Sequence, residues 1–320
     1  MLIIPTPCKA PFPYFGGKSA VSRAVWQRFG QPDTYIEPFA GSLAVLLGRP
    51  FYSGREIVND LDGFLTNFWR ACQADPESVS HHADWPINEA DLTSRHYWLM
   101  QEAEGLTARL LGDPDFYDAR IAGWWVWGAS QYIGGGWCGE HGRGPWVVEG
   151  GKMVRKTGGV QKKRPELDHK RGIHAGRPDI LNRKGINNQA DIHDTLCVLS
   201  TRLRDVMVCC GDWQRVLSQG ILTPKTAVFL DPPYEQSLRD PQIYSHETPC
   251  SEAVRTWALK HPRLKVALCG YEGEHAMPSD WEEYCWQAQG GYGNRAGNTN
   301  RSKERIWFSP ACEGAQLTIF

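Results

Sequence analysis

The 320-residue chain lacks most of the features that assign a protein quickly. It has no apolar run of membrane length, and Met1–Pro5 reads as too short and too poor in charge for a signal peptide. A soluble, cytoplasmic protein is therefore expected. No Walker A loop, no G-x-S-x-G elbow and no C-x-x-C pair occurs, and the turn after the first strand, Thr34 to Ser42, lacks a G-x-G-x-x-G fingerprint. These absences argue against a P-loop NTPase, an α/β-hydrolase, a dinucleotide oxidoreductase and a zinc ribbon. Cys138 with His141 and His193 with Cys197 have the spacing of half-sites but no supporting partner, so no metal is expected. The net charge of −1 says nothing about partners. The ten cysteines are scattered, several in apolar runs such as Val208-Cys209-Cys210, as thiols packed in a reducing compartment are.

What the chain does have is centred on Ala227-Val-Phe-Leu-Asp-Pro-Pro-Tyr234. Four apolar residues read as a buried strand running into Asp231. Pro232 and Pro233 cannot donate to a sheet ladder and fix φ, so the chain leaves the strand in one stiff shape. A carboxylate, a bare carbonyl and the aromatic Tyr234 are thereby held together. That set suits a planar molecule with an exocyclic amino group: Asp231 and the Pro232 carbonyl accept its N–H bonds, and the ring stacks. An ordinary strand exit with a capping Asp fits the same residues.

Ahead of this stretch, Phe12-Pro-Tyr-Phe-Gly-Gly-Lys18 reads as a loop before a helix over 19–29, with Ser19 as its N-cap. Thr34 to Leu47 reads as strand, sharp loop and helix, the first βα turn of an open α/β sheet. Gly41 behind the acid Glu37 suits a ligand with a positively charged tail. Arg55–Asp60 reads as a second strand ending in an acid, placed as one that hydrogen-bonds a ribose diol or caps the following helix over 61–74.

From about 75 to 191 the α/β rhythm stops. Helices are expected over 89–105 and 116–132, and seven of the 14 tryptophans (85, 98, 124, 125, 127, 137 and 146) fall in this part. Between Lys152 and Lys184, 11 Lys and Arg face Glu166, Asp168 and Asp179, a net of 11 − 3 = +8 against −9 for the rest. A basic segment beside an aromatic one is the profile of a nucleic-acid surface, or of a solvated loop. The α/β pattern resumes with a helix over 191–204 and a strand Val206–Cys210 ending in Gly211-Asp212-Trp213. There Asp212 accepts from an adenine amine under the Trp213 ring, or caps a helix over 213–219. A strand over 227–231, a helix over 251–260, a strand over 265–270 and an antiparallel pair, 281–287 with 305–308, complete the pattern.

Phe15-Gly-Gly-Lys18, Glu37-Pro-Phe-Ala-Gly41, Asn59-Asp60, Asp212-Trp213 and Asp231-Pro-Pro-Tyr234 stand in one order. In that order the chain resembles the Dam-like (D12 class, α-group) DNA adenine-N6 methyltransferases, over roughly 10–75 and 195–310. The Trp/Gly middle and Cys269-Gly-Tyr-Glu272 look most like phage or prophage members. The resemblance implies a class I methyltransferase (Rossmann-like) α/β fold, a mostly parallel seven-stranded sheet with an antiparallel C-terminal strand. Residues 1–75 and 195–320 would form the catalytic domain, and 76–194 an inserted helical and loop target-recognition domain.

It further implies S-adenosylmethionine as cofactor. Glu37, Phe39, Ala40 and Gly41 would surround its methionine end, Asp60 its ribose, and Asp212 with Trp213 its adenine. Tyr14, Phe15, Gly16, Gly17 and Lys18 would form the loop closing over it, Tyr14 standing where many relatives carry Trp. Asp231, Pro232, Pro233 and Tyr234 would be catalytic, with Asp231 also near the cofactor. Accepting both N–H bonds of an adenine N6 amine makes its lone pair available to a sulfonium methyl, and the base must be flipped out of the duplex to reach the pocket. Lys152, Arg155, Lys156, Lys162, Lys163, Arg164, Lys170, Arg171, Arg295 and Arg301 are expected to contact double-stranded DNA. A cognate restriction endonuclease is the partner where such enzymes serve restriction–modification. N4-cytosine transfer and a catalytically silent DNA-binding relative are the alternatives. Cytosine-C5 transfer needs a cysteine nucleophile at the central site, which Cys8 and Cys250 do not supply by position.

Overall fold

A computed structural model of the chain describes residues 8–12, 14, 17–50, 54–86, 88–129, 137–138, 146–149, 152–155, 192–233, 250–286 and 304–314. Its centre is a seven-stranded sheet. The strands are β1 (Thr34–Glu37), β2 (Arg55–Asp60), β5 (Val206–Cys210), β6 (Thr226–Leu230), β7 (Lys265–Tyr271), β8 (Glu282–Cys285) and β9 (Glu304–Phe308). The spatial order is β5-β2-β1-β6-β7-β9-β8. The first five strands are parallel, and β9 runs antiparallel to both β7 and β8. A separate two-stranded hairpin is formed by β3 (Trp146–Glu149) and β4 (Lys152–Arg155). The sheet is mostly parallel with one antiparallel strand, as expected.

Central parallel strands are covered on both faces, so they need apolar residues at every position. All five residues of β6 are buried. On β1, Tyr35 points into one core with Trp26 and Phe29, and Ile36 into the other with Val228, Val254 and Trp307. Helices α1 (Ser22–Phe29), α3 (Gly63–Ala74) and α7 (Ile192–Leu203) cover the first face, and α8 (Ser251–Lys260) the second. Because β1 connects outward to β2 while β6 returns on its other side, the carboxyl ends of β1 and β6 diverge and leave a crevice.

The helices α4 (Pro76–Ala83), α5 (Glu89–Gly112) and α6 (Ala119–Ala129) pack over α3. Ten consecutive residues of α3, Gly63 to Cys72, are buried, because the sheet lies on one side and these helices on the other. Their apolar side chains join the same core as the sheet. The tryptophan-rich stretch is accordingly turned inward: Trp125 meets Phe12 and Phe68 edge-on or tilted, Trp127 is fully buried, and Trp137 is buried against His96. Of the seven tryptophans in this stretch, 125, 127 and 137 are core, 98, 124 and 146 are half-buried, and Trp85 is exposed.

Three helix starts differ from the sequence reading. The first helix begins at Ser22, not Ser19, because the Lys18 carbonyl accepts from the Val21 and Ser22 N–H groups in a preceding turn, and no side chain caps it. The cap of α3 is Asp62, whose carboxylate accepts from the Phe64 and Leu65 N–H groups, not Asp60. Residues 116–118 precede α6, with Asp118 accepting from the Ile121 N–H. Asp231 lies just beyond β6.

Candidate active site

The crevice at the ends of β1 and β6 holds a cavity of about 1000 Å³, its open mouth included, lined by Glu37 to Ser42, Asp60 to Asp62, Gly211 to Trp213, and Asp231 with Pro233. Tyr14, Gly17 and Lys18 close one side. Four separate strand ends thus meet around one space.

Asn59 holds the loops in place. It is buried near the end of β2, and its Nδ2 donates to Pro38 O at 3.1 Å and to Gly211 O at 2.9 Å, tying the exits of β1 and β5 together. Asp60 then faces the cavity, with Oδ2 accepting from the Gly41 N–H and Oδ1 from the Asp62 N–H, each at 2.9 Å. Gly41 takes φ +48°, which favours glycine, and an added Cβ would come within 2.8 Å of the Tyr14 ring. The Gly41 carbonyl accepts from Trp69 Nε1 at 3.0 Å, so α3 fixes the turn from below. Trp213 stacks on Phe39 at 6.1 Å between centroids and 24° between planes. Asp212 also caps the 3-10 turn Trp213–Val216 through the Gln214 N–H, so its capping role is present whatever else it binds.

Glu37 is 2 % exposed. Its Oε1 accepts from the Tyr35 hydroxyl at 2.5 Å and from the Leu46 N–H at 3.1 Å, while Oε2 is buried without a hydrogen-bond partner. Burial pushes the Glu37 carboxyl up to about 8, against the pull of the Tyr35 and Leu46 donors. Lys18, 3 % exposed, places Nζ 2.9 Å from Asp231 Oδ2. Cys269 on β7 is fully buried beside Asp231; burial raises its thiol well above the usual range, and the carboxylate adds to the effect.

Of the residues expected at the site, Tyr14, Gly17, Lys18, Glu37, Phe39, Ala40, Gly41, Asp60, Asp212, Trp213, Asp231 and Pro233 line the one cavity. Pro232 is buried beside them. Phe15, Gly16 and Tyr234 lie outside the described residues, as do Lys156, Lys162, Lys163, Arg164, Lys170, Arg171, Arg295 and Arg301. Lys152 is exposed on β4, and the Arg155 backbone ends that strand. Among the described residues, no group of three or more His, Cys, Asp or Glu is placed to hold a metal. Sequence reasoning missed Asp62, Tyr35 and Cys250. A helix-capping signal two residues before Phe64 pointed to Asp62; nothing local pointed to the other two. Cys250 lines the cavity, but burial pushes its thiol up to about 11, so it stands as a neutral thiol and not a nucleophile.

An open, mostly parallel α/β sheet with acids and aromatics around its switch-point crevice is an architecture consistent with the methyltransferase fold. Residues 14–107 match the model of the D12 class N6 adenine-specific DNA methyltransferase family, and the match supports an adenine-specific DNA methyltransferase. The matched span carries Lys18, Glu37, Gly41 and Asp60, and runs on through most of α5. No curated protein matches the chain. No helix among the described residues is long and apolar enough to cross a membrane.

Proposed function

We propose that the chain methylates the N6 amine of an adenine flipped out of duplex DNA, with S-adenosylmethionine as donor. The observation that carries the reading is the single cavity joining the loop after β1 to Asp231 after β6. Methyltransferases of the matched family use S-adenosylmethionine. The residues fit that group on three counts. Glu37 presents a buried oxygen without a partner, the complement of an ammonium head. Asp60, Asp62 and Asp212 offer acceptors suited to hydroxyl and amino groups. Phe39 and Trp213 supply aromatic faces.

Bound there, S-adenosylmethionine supplies an electrophilic methyl group on a sulfonium. Glu37 would hold its amino-acid end, Asp60 its ribose and Asp212 with Trp213 its adenine, with Tyr14 and Lys18 closing the mouth. The work of the protein at the target base falls to Asp231 and the Pro232 carbonyl. Both accept N–H bonds from the amine, which draws its lone pair out of conjugation with the ring. Lys18 holds Asp231 oriented for that task. Tyr234 would stack on the everted base in place of its lost neighbours. The basic residues from Lys152 to Arg171, with Arg295 and Arg301, would contact DNA phosphates, assigning the segment within 76–194 to target binding.

Incubating the protein with DNA and labelled S-adenosylmethionine, then separating the nucleosides, tests the reading. Label in N6-methyladenine is expected. Label in N4-methylcytosine alone moves the target to the other exocyclic amine, and no label in any nucleoside overturns the assignment.

A further inference from the structure

The two oxygens of Glu37 are not alike. Oε1 is saturated by the Tyr35 hydroxyl and the Leu46 N–H, and Oε2 is buried and bare. Tyr35 and Glu37 lie two apart on β1 and so share a face of the sheet, which lets the phenol fix the carboxyl rotamer. Glu37 lines the cavity, and an acid arranged this way has one place to carry a proton, the bare oxygen. We propose that Glu37 is a carboxylic acid in the empty cavity, protonated on Oε2, and that docking of a ligand ammonium expels this proton to solvent. The proposal rests on the S-adenosylmethionine reading above and deepens it. In balance, the O–H bond at Oε2 breaks, the proton goes to buffer, and a carboxylate–ammonium pair takes its place.

The surroundings support this. Burial is the largest influence on Glu37, lifting it to about 8, and the nearby acids Glu56 and Asp231 push the same way. On β2, Glu56 is already neutralised by Arg49 at 2.8 Å and Arg202 at 2.7 Å. Beyond β6, Asp231 is paired with Lys18. On β1, Tyr35 is itself raised well above its usual range by burial, with the Glu37 charge adding to it, so it stays a neutral donor. Each neighbouring acid has its cation, and among the described residues Glu37 has none. The ligand is left to provide it. Tyr35 thereby acts as a positioning residue, holding Oε1 and leaving Oε2 for the ligand.

Titration calorimetry of the full chain with S-adenosylmethionine, in two buffers of different ionisation enthalpy near pH 6.5, reads the proton directly. Release of close to one proton per ligand is expected, with affinity rising up to about tenfold per pH unit below pH 7.5, where the ligand amine stays charged. 5′-Methylthioadenosine, which lacks the ammonium, should bind with no proton release and a flat pH profile. In Glu37→Gln the slope for S-adenosylmethionine should vanish while 5′-methylthioadenosine binding persists. Tyr35→Phe, having lost a donor to the carboxylate, should shift the rise in affinity to higher pH. Tight binding of S-adenosylmethionine without proton release, at an affinity flat with pH, overturns the inference and leaves the cofactor reading standing. No binding of S-adenosylmethionine at any pH overturns the cofactor reading and the inference with it.

Discussion

Lys18 and Asp231 meet at 2.9 Å in the crevice between β1 and β6, one from the loop before α1 and the other from the exit of the central strand. The lysine is almost wholly buried and the aspartate partly open to the cavity. The pair therefore fixes the carboxylate while leaving it accessible to a ligand.

Asp231→Ala removes the acceptor and leaves Lys18 buried without this partner. Methyl transfer should fall by at least about 10²–10³-fold, the range found when one positioned polar group is deleted from an active site. DNA binding, followed by gel shift, should survive. The melting temperature should drop as well, since stripping a buried ion of its counter-charge costs on the order of 3 kcal/mol. An Asp231→Ala protein that transfers methyl groups at the parent rate would remove Asp231 from the mechanism.

Asn59→Leu deprives the Pro38 and Gly211 carbonyls of the donor that ties the exits of β1 and β5. Buried acceptors left unsatisfied cost about 1–3 kcal/mol each, so thermal stability should fall measurably. S-Adenosylmethionine affinity should fall with it, by about tenfold for each 1.4 kcal/mol of disorder introduced at the loops. Parent affinity in a destabilised Asn59→Leu protein would mean that the clamp serves the fold and not the site.

Glu37 predicts a pH dependence of stability in the protein without ligand. Its folded value is raised from the ordinary 4.5 to about 8, so between those values the folded state binds more protons than the unfolded one. Stability contributed by this group must then decline as pH rises through that window and level off above it. Glu37→Gln keeps an acceptor for Tyr35 and Leu46 but never ionises. It should melt progressively higher than the parent from pH 5 to pH 8, with a constant gap beyond. Parallel melting curves across the window would place the Glu37 carboxyl in its ordinary range.

Neutralising Lys162, Lys163 and Arg164 together should weaken DNA binding and flatten its dependence on salt, by about 0.9 in log–log slope for each phosphate that the protein no longer neutralises. Transfer at saturating DNA should stay near the parent rate. An unchanged slope in filter-binding measurements would show that this cluster lies off the DNA.

The strands are legible because each carries its own local signal. Arg55–Asp60 sets an apolar pair, Ile57-Val58, before a terminal acid, and Val206–Cys210 is an apolar run stopped by Gly211. The antiparallel closure by β8 and β9 is legible for the same reason. The Trp-rich stretch reads as a contact surface, yet Trp125, Trp127 and Trp137 are interior, because the pattern of Trp124-Trp125-Val126-Trp127 cannot say what lies across from it. In the fold, α3 and Phe12 lie across from it. Ser19 looks like a cap, but a turn closed on the Lys18 carbonyl intervenes. Cap chemistry is decided by backbone angles that composition does not fix.

By itself, the amino-acid sequence determined the open α/β sheet and the identity of most side chains that ring the cavity, since strand-end acids, glycines and the two prolines act through their own backbone chemistry. The tertiary structure alone decided the pairings: Lys18 with Asp231, Asn59 between two distant carbonyls, Tyr35 under Glu37, and Glu56 between two arginines. The physical reason is that charge and hydrogen-bond energies depend on distance and burial, and both arise only when separate strands are laid side by side.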